Sequence, residues 1–191
     1  RLGVRRVVLA SSNHVMGQHK DDPARGIVTP TSPPRCGTPL HDPEHLAKSG
    51  DAIAYAAAKL AGERLATTLA AEPGTSTSFV ILRIGWCQPG ANLPSTLSAS
   101  GCPPEFQTKV DGGTAAKQAS MPSEGVDEAW FKNMWLSNGD FLRYFEAALT
   151  APVPAGRPVL VNAMSNNSGM RWSLKETEAA LGVKAQDNSR A

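Results

Sequence analysis

Val7-Val8-Leu9-Ala10-Ser11-Ser12-Asn13-His14-Val15-Met16-Gly17 is the stretch from which the fold can be read. Its first four residues form a short, unbroken apolar run rich in β-branched side chains, the pattern of a strand buried on both faces of a parallel sheet. The run stops at small hydroxyl and amide side chains. These crowd the carboxyl end of the strand, the edge where open α/β sheets place ligands. Ser, Asn and Gly are also ordinary loop residues that bond their own backbone, so the stretch takes its meaning from the segments downstream. Phe79-Val80-Ile81-Leu82 repeats the buried-strand pattern and runs into Arg83-Ile84-Gly85-Trp86, and Pro158-Val159-Leu160-Val161-Asn162 gives a third short strand.

Between the first two strands lies an alanine-rich helical stretch that Ser49 or Asp51 can cap and that Pro73-Gly74 ends. Its inward stripe is expected to contain Ile53, Leu60, Leu65 and Leu69. Strand, helix and strand make a parallel crossover unit. Ser137-Asn138-Gly139-Asp140 reads as a cap with an acidic third position, opening a helix with Phe141, Leu142, Phe145 and Leu149 buried and Pro152 closing it. Ser173 and Glu176 predict a capping box for a last helix ending at Gly182, with a frayed tail beyond. Two stretches, about 18–50 and 88–129, are rich in Pro, Gly, Ser, Asp and Thr without a periodic apolar face, and read as long loop insertions. The fold class is thus α/β, part of a doubly wound parallel sheet, in one domain over 1–191.

The chemistry begins at Tyr55-Ala56-Ala57-Ala58-Lys59. Positions four apart on a helix lie one above the other, so the phenol and the ammonium point into one space. A fixed cation beside a phenol favours the phenolate and makes a proton acceptor usable near neutrality. A surface Tyr and a surface Lys at helical spacing would look the same, and it is the upstream serine-rich strand end that favours the chemical reading. His41 and His45 have the four-residue spacing of a ligand pair, but Pro43 argues against the helix that would align them, so no metal site is expected. Gly112-Gly113-Thr114 lacks the lysine and the preceding strand of a phosphate loop.

The net charge is +2, spread without a basic run. No footprint for nucleic acid or an anionic membrane is therefore expected, and a small-molecule partner is favoured. Cys36, Cys87 and Cys102 lack paired spacing, which fits a reducing, cytoplasmic setting. No apolar run approaches a membrane span.

A strand ending in Ser-Ser-Asn-His-Val-Met-Gly, a helix carrying Tyr-Ala-Ala-Ala-Lys and a strand ending in Leu-Arg-Ile-Gly, in that order, resemble the extended short-chain dehydrogenase/reductase (NAD-dependent epimerase/dehydratase) family. Trp135-Leu136-Ser137 followed by Asp140-Phe141 is similar to its uronate dehydrogenase-like branch. The resemblance runs from Arg6 to about Asp187, outside the two insertions. It implies the C-terminal portion of a Rossmann-like fold, NAD as cofactor with NADP also allowed, a sugar or uronic acid substrate, and a homodimer through the Tyr55 helix, whose Ala- and Gly62-containing outer face would suit close packing. It also implies Tyr55 as acid/base and Lys59 as its activator and ribose ligand, with Ser12 holding the reacting oxygen. Asn13, His14 and Lys132 would contact substrate, and Ser11, Gly85, Tyr55 and Lys59 the cofactor. A loop histidine is equally often a structural hydrogen-bonder, and His14 stays open between the two roles. The family's Gly-rich turn is not among these residues, and Trp86 stands where that branch has a small hydroxyl residue. Nucleotide-sugar epimerase or dehydratase activity is an alternative, as is a non-catalytic remnant serving as a binding or oligomerising module.

Overall fold

The computed structural model describes residues 3–22, 24, 26–37, 52–97 and 132–191. Three strands form one parallel sheet in the order β1-β2-β3: β1 (Arg6–Ser12), β2 (Ser78–Ile84) and β3 (Val159–Ala163). Leu9 pairs with Ile81, and Ile81 with Leu160. The helices are α1 (Ala52–Ala71), α2 (Asn138–Thr150) and α3 (Lys175–Leu181).

Strand alternation sorts the core into two layers. Phe79 and Ile81, with Val7, Leu9 and Leu160, pack on Ala66 and Ala70 of α1. Val80 and Leu82, with Val8 and Val161, pack on Tyr144 and Ala148 of α2 and Leu181 of α3. The sheet is therefore covered on both faces, which is why its strands read as continuous apolar runs. Both parallel connections step the same way across the sheet, yet their helices lie on opposite faces. One of them therefore carries the uncommon left hand.

Several expectations change in three dimensions. The inward face of α1 is Ala56, Glu63, Ala66 and Ala70, all buried, with Leu60 half-buried. Ile53, Leu65 and Leu69 are exposed. The alanines let α1 lie close to a sheet whose own large side chains fill the space, so the leucines are displaced outward. Gly62 faces the sheet as well, where an added Cβ would meet Leu9 Cδ2 at 3.6 Å. On α2, Leu142 and Leu149 are likewise exposed, while Asp140 and Tyr144 are buried. The Ser137 cap forms, its hydroxyl accepting from the Asp140 amide at 2.9 Å.

Ser173 and Glu176 do not form a capping box. The helix starts after Leu174, with no side-chain cap, because Ser173 is held by its amide to Val28. Gly182 does end α3 in the left-handed conformation, at φ 68°. Beyond it the tail is tied down, with Ser189 buried, its amide donating to Asn167 Oδ1 and its hydroxyl to the Lys132 carbonyl. The described part of the first insertion packs back onto the molecule. Asn13–Asp21 forms a 3₁₀ helix, Val28 pairs with Trp172 in the core, and the amides of Arg35 and Gly37 return to the Val15 and His14 carbonyls. His41, His45, Ser49, Asp51, Cys102 and the Gly112-Gly113-Thr114 stretch lie outside the described residues.

Candidate active site

The carboxyl ends of β1 and β2 open into a cleft of about 290 Å³ whose lining includes Ser12, Asn13, His14, Tyr55, Lys59 and Trp86. This is the edge at which an open parallel sheet binds ligands. Three sequence-distant elements meet there. β1 delivers Ser12, whose hydroxyl caps the 3₁₀ helix by accepting from the His14 amide at 3.1 Å. The same oxygen lies 3.3 Å from His14 Nδ1. The His14 ring meets Tyr55 edge-on at 5.5 Å between centroids and Trp86 at 5.4 Å with a 31° tilt.

Burial pushes the His14 pKa below its ordinary value, which favours the neutral imidazole. A neutral ring can accept the Ser12 proton at Nδ1 and keep a donor at Nε2. Serine, imidazole and phenol thus line one wall.

On α1, Lys59 Nζ lies 5.6 Å from the Tyr55 ring centroid and donates to the Ala10 carbonyl at 2.9 Å. The i, i+4 relation does what the sequence implied: both side chains enter the same cleft. Half of the Tyr55 side chain stays exposed, at 49%, so its hydroxyl is reachable from solvent.

Four other predicted residues resolve differently. Ser11 is among the lining residues, but its hydroxyl is engaged by Glu63 Oε1 at 2.6 Å. Gly85 has a packing reason of its own: an added Cβ would lie 2.2 Å from the Met134 carbonyl oxygen and 2.9 Å from Met164 Cβ. Only glycine lets the segment carrying Trp135 pair with Trp86 there. Asn13 is buried, its amide nitrogen against Met134 Sδ at 2.8 Å and its Oδ1 buried without a hydrogen-bond partner. Lys132 is not among the lining residues; its carbonyl accepts from Ser189.

Two contacts are not legible in the sequence. Trp86, which stands where a small hydroxyl residue is expected, sits on the His14 ring in the cleft lining. Glu63 and Arg83, buried on facing elements, form a bidentate pair with contacts of 2.9 and 2.8 Å. Glu63 lies four residues after Lys59 on the same face, which was the available signal.

The residues fit one end of a dinucleotide. Lys59, Tyr55 and Ser12 line one cleft and could hold a nicotinamide and its ribose. Among the described residues no Gly-rich turn follows a strand to hold a pyrophosphate.

No family model matches the chain. Among curated proteins it is 28% identical, over 194 residues, to an L-arabinose 1-dehydrogenase (NAD(P)(+)) of Haloferax volcanii, covering 96% of this chain and 59% of that protein. Among solved structures it is similar to a glucuronic acid dehydrogenase from Chromohalobacter salexigens, with TM-score 0.60 and 23% identity over 98% of this chain and 49% of that one. It is also similar to a uronate dehydrogenase from Agrobacterium tumefaciens, with TM-score 0.53 and 23% identity over 97% and 48%. The chain spans about half the length of these relatives. Its fold is part of their Rossmann-like parallel α/β fold, and its similarity is to the extended short-chain dehydrogenase/reductases of the sugar and uronate dehydrogenase kind.

Proposed function

We propose that this chain is the substrate-side portion of an NAD(P)-dependent oxidoreductase that oxidises a sugar or uronic acid hydroxyl. The observation that carries this reading is the meeting of Ser12, His14, Tyr55 and Lys59 at one cleft on the carboxyl edge of the parallel sheet. NAD(P), when bound, supplies the hydride acceptor. Tyr55 takes the hydroxyl proton of the substrate as general base, and Ser12 holds the same oxygen by a hydrogen bond. Lys59, fixed by the Ala10 carbonyl, keeps a positive charge beside the phenol and reaches the ribose. Asn13 and His14 flank the substrate, His14 donating from Nε2. Trp86 gives the sugar an apolar wall where the uronate branch has a small polar residue, so neutral aldoses join uronic acids as substrates to be compared. The Haloferax relative's activity on L-arabinose supports including them.

In the full-length protein Tyr55→Phe removes turnover while leaving cofactor affinity nearly intact. General acid–base catalysis supplies about 10²–10⁴-fold, so a variant keeping more than about a hundredth of the rate would refute the assignment. The assay follows reduction of the cofactor with free uronic acids, neutral aldoses and nucleotide sugars in turn. Turnover of nucleotide sugars alone would favour the epimerase or dehydratase alternative.

The full-length protein is also proposed to be a homodimer through α1. Support comes from Leu65 and Leu69, 60% and 45% exposed four residues apart on that helix. A monomer in sedimentation, unchanged by Leu65→Glu, would refute it.

A further inference from the structure

One turn beyond Lys59 on α1 lies a buried carboxylate that takes no part in the chemistry proposed for the cleft. Glu63 and Arg83 keep only 5% and 2% of their side chains exposed. Arg83 donates from Nε and Nη2 to the two Glu63 oxygens, and from Nη1 to the Pro30 carbonyl and Met16 Sδ, each at 3.2 Å. Ser11 donates its hydroxyl to Glu63.

Stability alone is a poor reason for such a pair. Two charges withdrawn from water are costly, and apolar residues of similar volume often hold a fold as well or better. What an apolar pair lacks is direction. A guanidinium fork on a carboxylate fixes distance and angle together.

The direction it fixes is that of α1. Three consecutive residues of β1 are held in turn: Ala10 by Lys59, Ser11 by Glu63, and Ser12 by His14 at the cleft. Tyr55, Lys59 and Glu63 are successive positions of one helical stripe, so a contact on Glu63 sets the rotation of the two before it. A slip of one residue turns an α-helix by about 100° and moves it by about 1.5 Å. Either would carry Tyr55 and Lys59 out of the cleft.

We propose that Glu63 is a positioning residue, which with Arg83 and Ser11 fixes the rotation and axial setting of α1 so that Tyr55 and Lys59 face Ser12. This rests on the oxidoreductase reading given above.

The test uses the full-length protein and the double variant Glu63→Met/Arg83→Met, which removes both charges and leaves neither buried alone. Melting should stay near that of the wild type and KM for the sugar should hold, while kcat falls by about 10²-fold, the cost of a misplacement near 1 Å. A second pair guards against misfolding. Ser11→Ala keeps the ion pair and should lower kcat about fivefold, the worth of one hydrogen bond, and Ser11→Thr, which keeps the hydroxyl, should restore it. Wild-type kcat in a folded double variant would overturn the proposal, as would equal activity of Ser11→Ala and Ser11→Thr. If the double variant does not fold, the Ser11 pair decides alone. A wild type that reduces no cofactor with any sugar would overturn the oxidoreductase reading and this proposal with it, whereas an active wild type matched by an active double variant overturns this proposal only.

Discussion

His14 reads in the sequence as either a substrate ligand or a structural hydrogen-bonder, and the structure gives it a structural hydrogen bond at the edge of the cleft. It bonds the serine that caps its own 3₁₀ helix, and it stands edge-on to Tyr55 at the cleft. Its burial has a consequence for stability. The folded-state pKa is lowered below the ordinary value of 6.5, so below that value the unfolded chain binds more protons than the folded one. The stabilisation is complete above the unfolded pKa and is lost as pH falls from there through the folded pKa. Thermal melting of the wild type should therefore drop more between about pH 7.5 and pH 5.5 than that of His14→Gln. Parallel pH dependences in the two proteins would refute the assignment. Arg83 shows the opposite limit of legibility. It was visible as the end of a strand motif, but a charged residue at that place gives no sign in one dimension that it is buried. The carboxylate that makes burial possible is twenty residues away on another element.

At the level of elements, the strands and helices were legible because each has a strong local pattern, while their faces were not. Periodicity assigns an apolar stripe to the core by default. On α1 that default failed, because small residues lie against a sheet of large ones and Leu65 and Leu69 are left outside. On α2 the cap was read correctly but its acidic third position was undervalued. Asp140 is fully buried, accepting from the Ser165 hydroxyl at 2.7 Å and from the Gln186 and Asp187 amides at 2.9 and 3.0 Å, with Arg143 at 2.8 Å. It also sits in the first turn, where the helix dipole favours a negative charge. This carboxylate is what holds the tail that composition alone marked as frayed. Hydrogen bonds to a charged group contribute about 1.5–3 kcal/mol each, so Asp140→Ala should cost about 3 kcal/mol or more in urea unfolding. Limited proteolysis should then cut first within 183–191. Unchanged resistance of that segment would show that Asp140 does not anchor it.

For the molecule as a whole, the proposed function makes the cleft the nicotinamide end of a cofactor site. Dinucleotide affinity comes largely from backbone amides of a Gly-rich turn at a helix N-terminus and a carboxylate on the ribose. Among the described residues no such turn is present. In the proposed function Lys59, Tyr55 and Ser12 orient the nicotinamide ring only. Calorimetric titration of this 191-residue polypeptide with NAD should give no saturable heat in the micromolar range. A micromolar affinity would mean that residues outside the described segments build a cofactor site of their own.

The sequence by itself determined the parallel α/β class, the three strands, and the order Ser12, Tyr55, Lys59 that marks the cleft. Each of these rests on short-range regularity: unbroken apolar runs, i, i+4 spacing, and small polar residues at a strand's end. Only the tertiary structure decided which side of each helix is buried, that the Glu63–Arg83 pair ties α1 to both neighbouring strands, that Trp86 lies on His14, and that Asp140 holds the tail. Those outcomes depend on how closely two elements approach, and on partners between 20 and 72 residues apart meeting in space. No local window contains both members of such a pair.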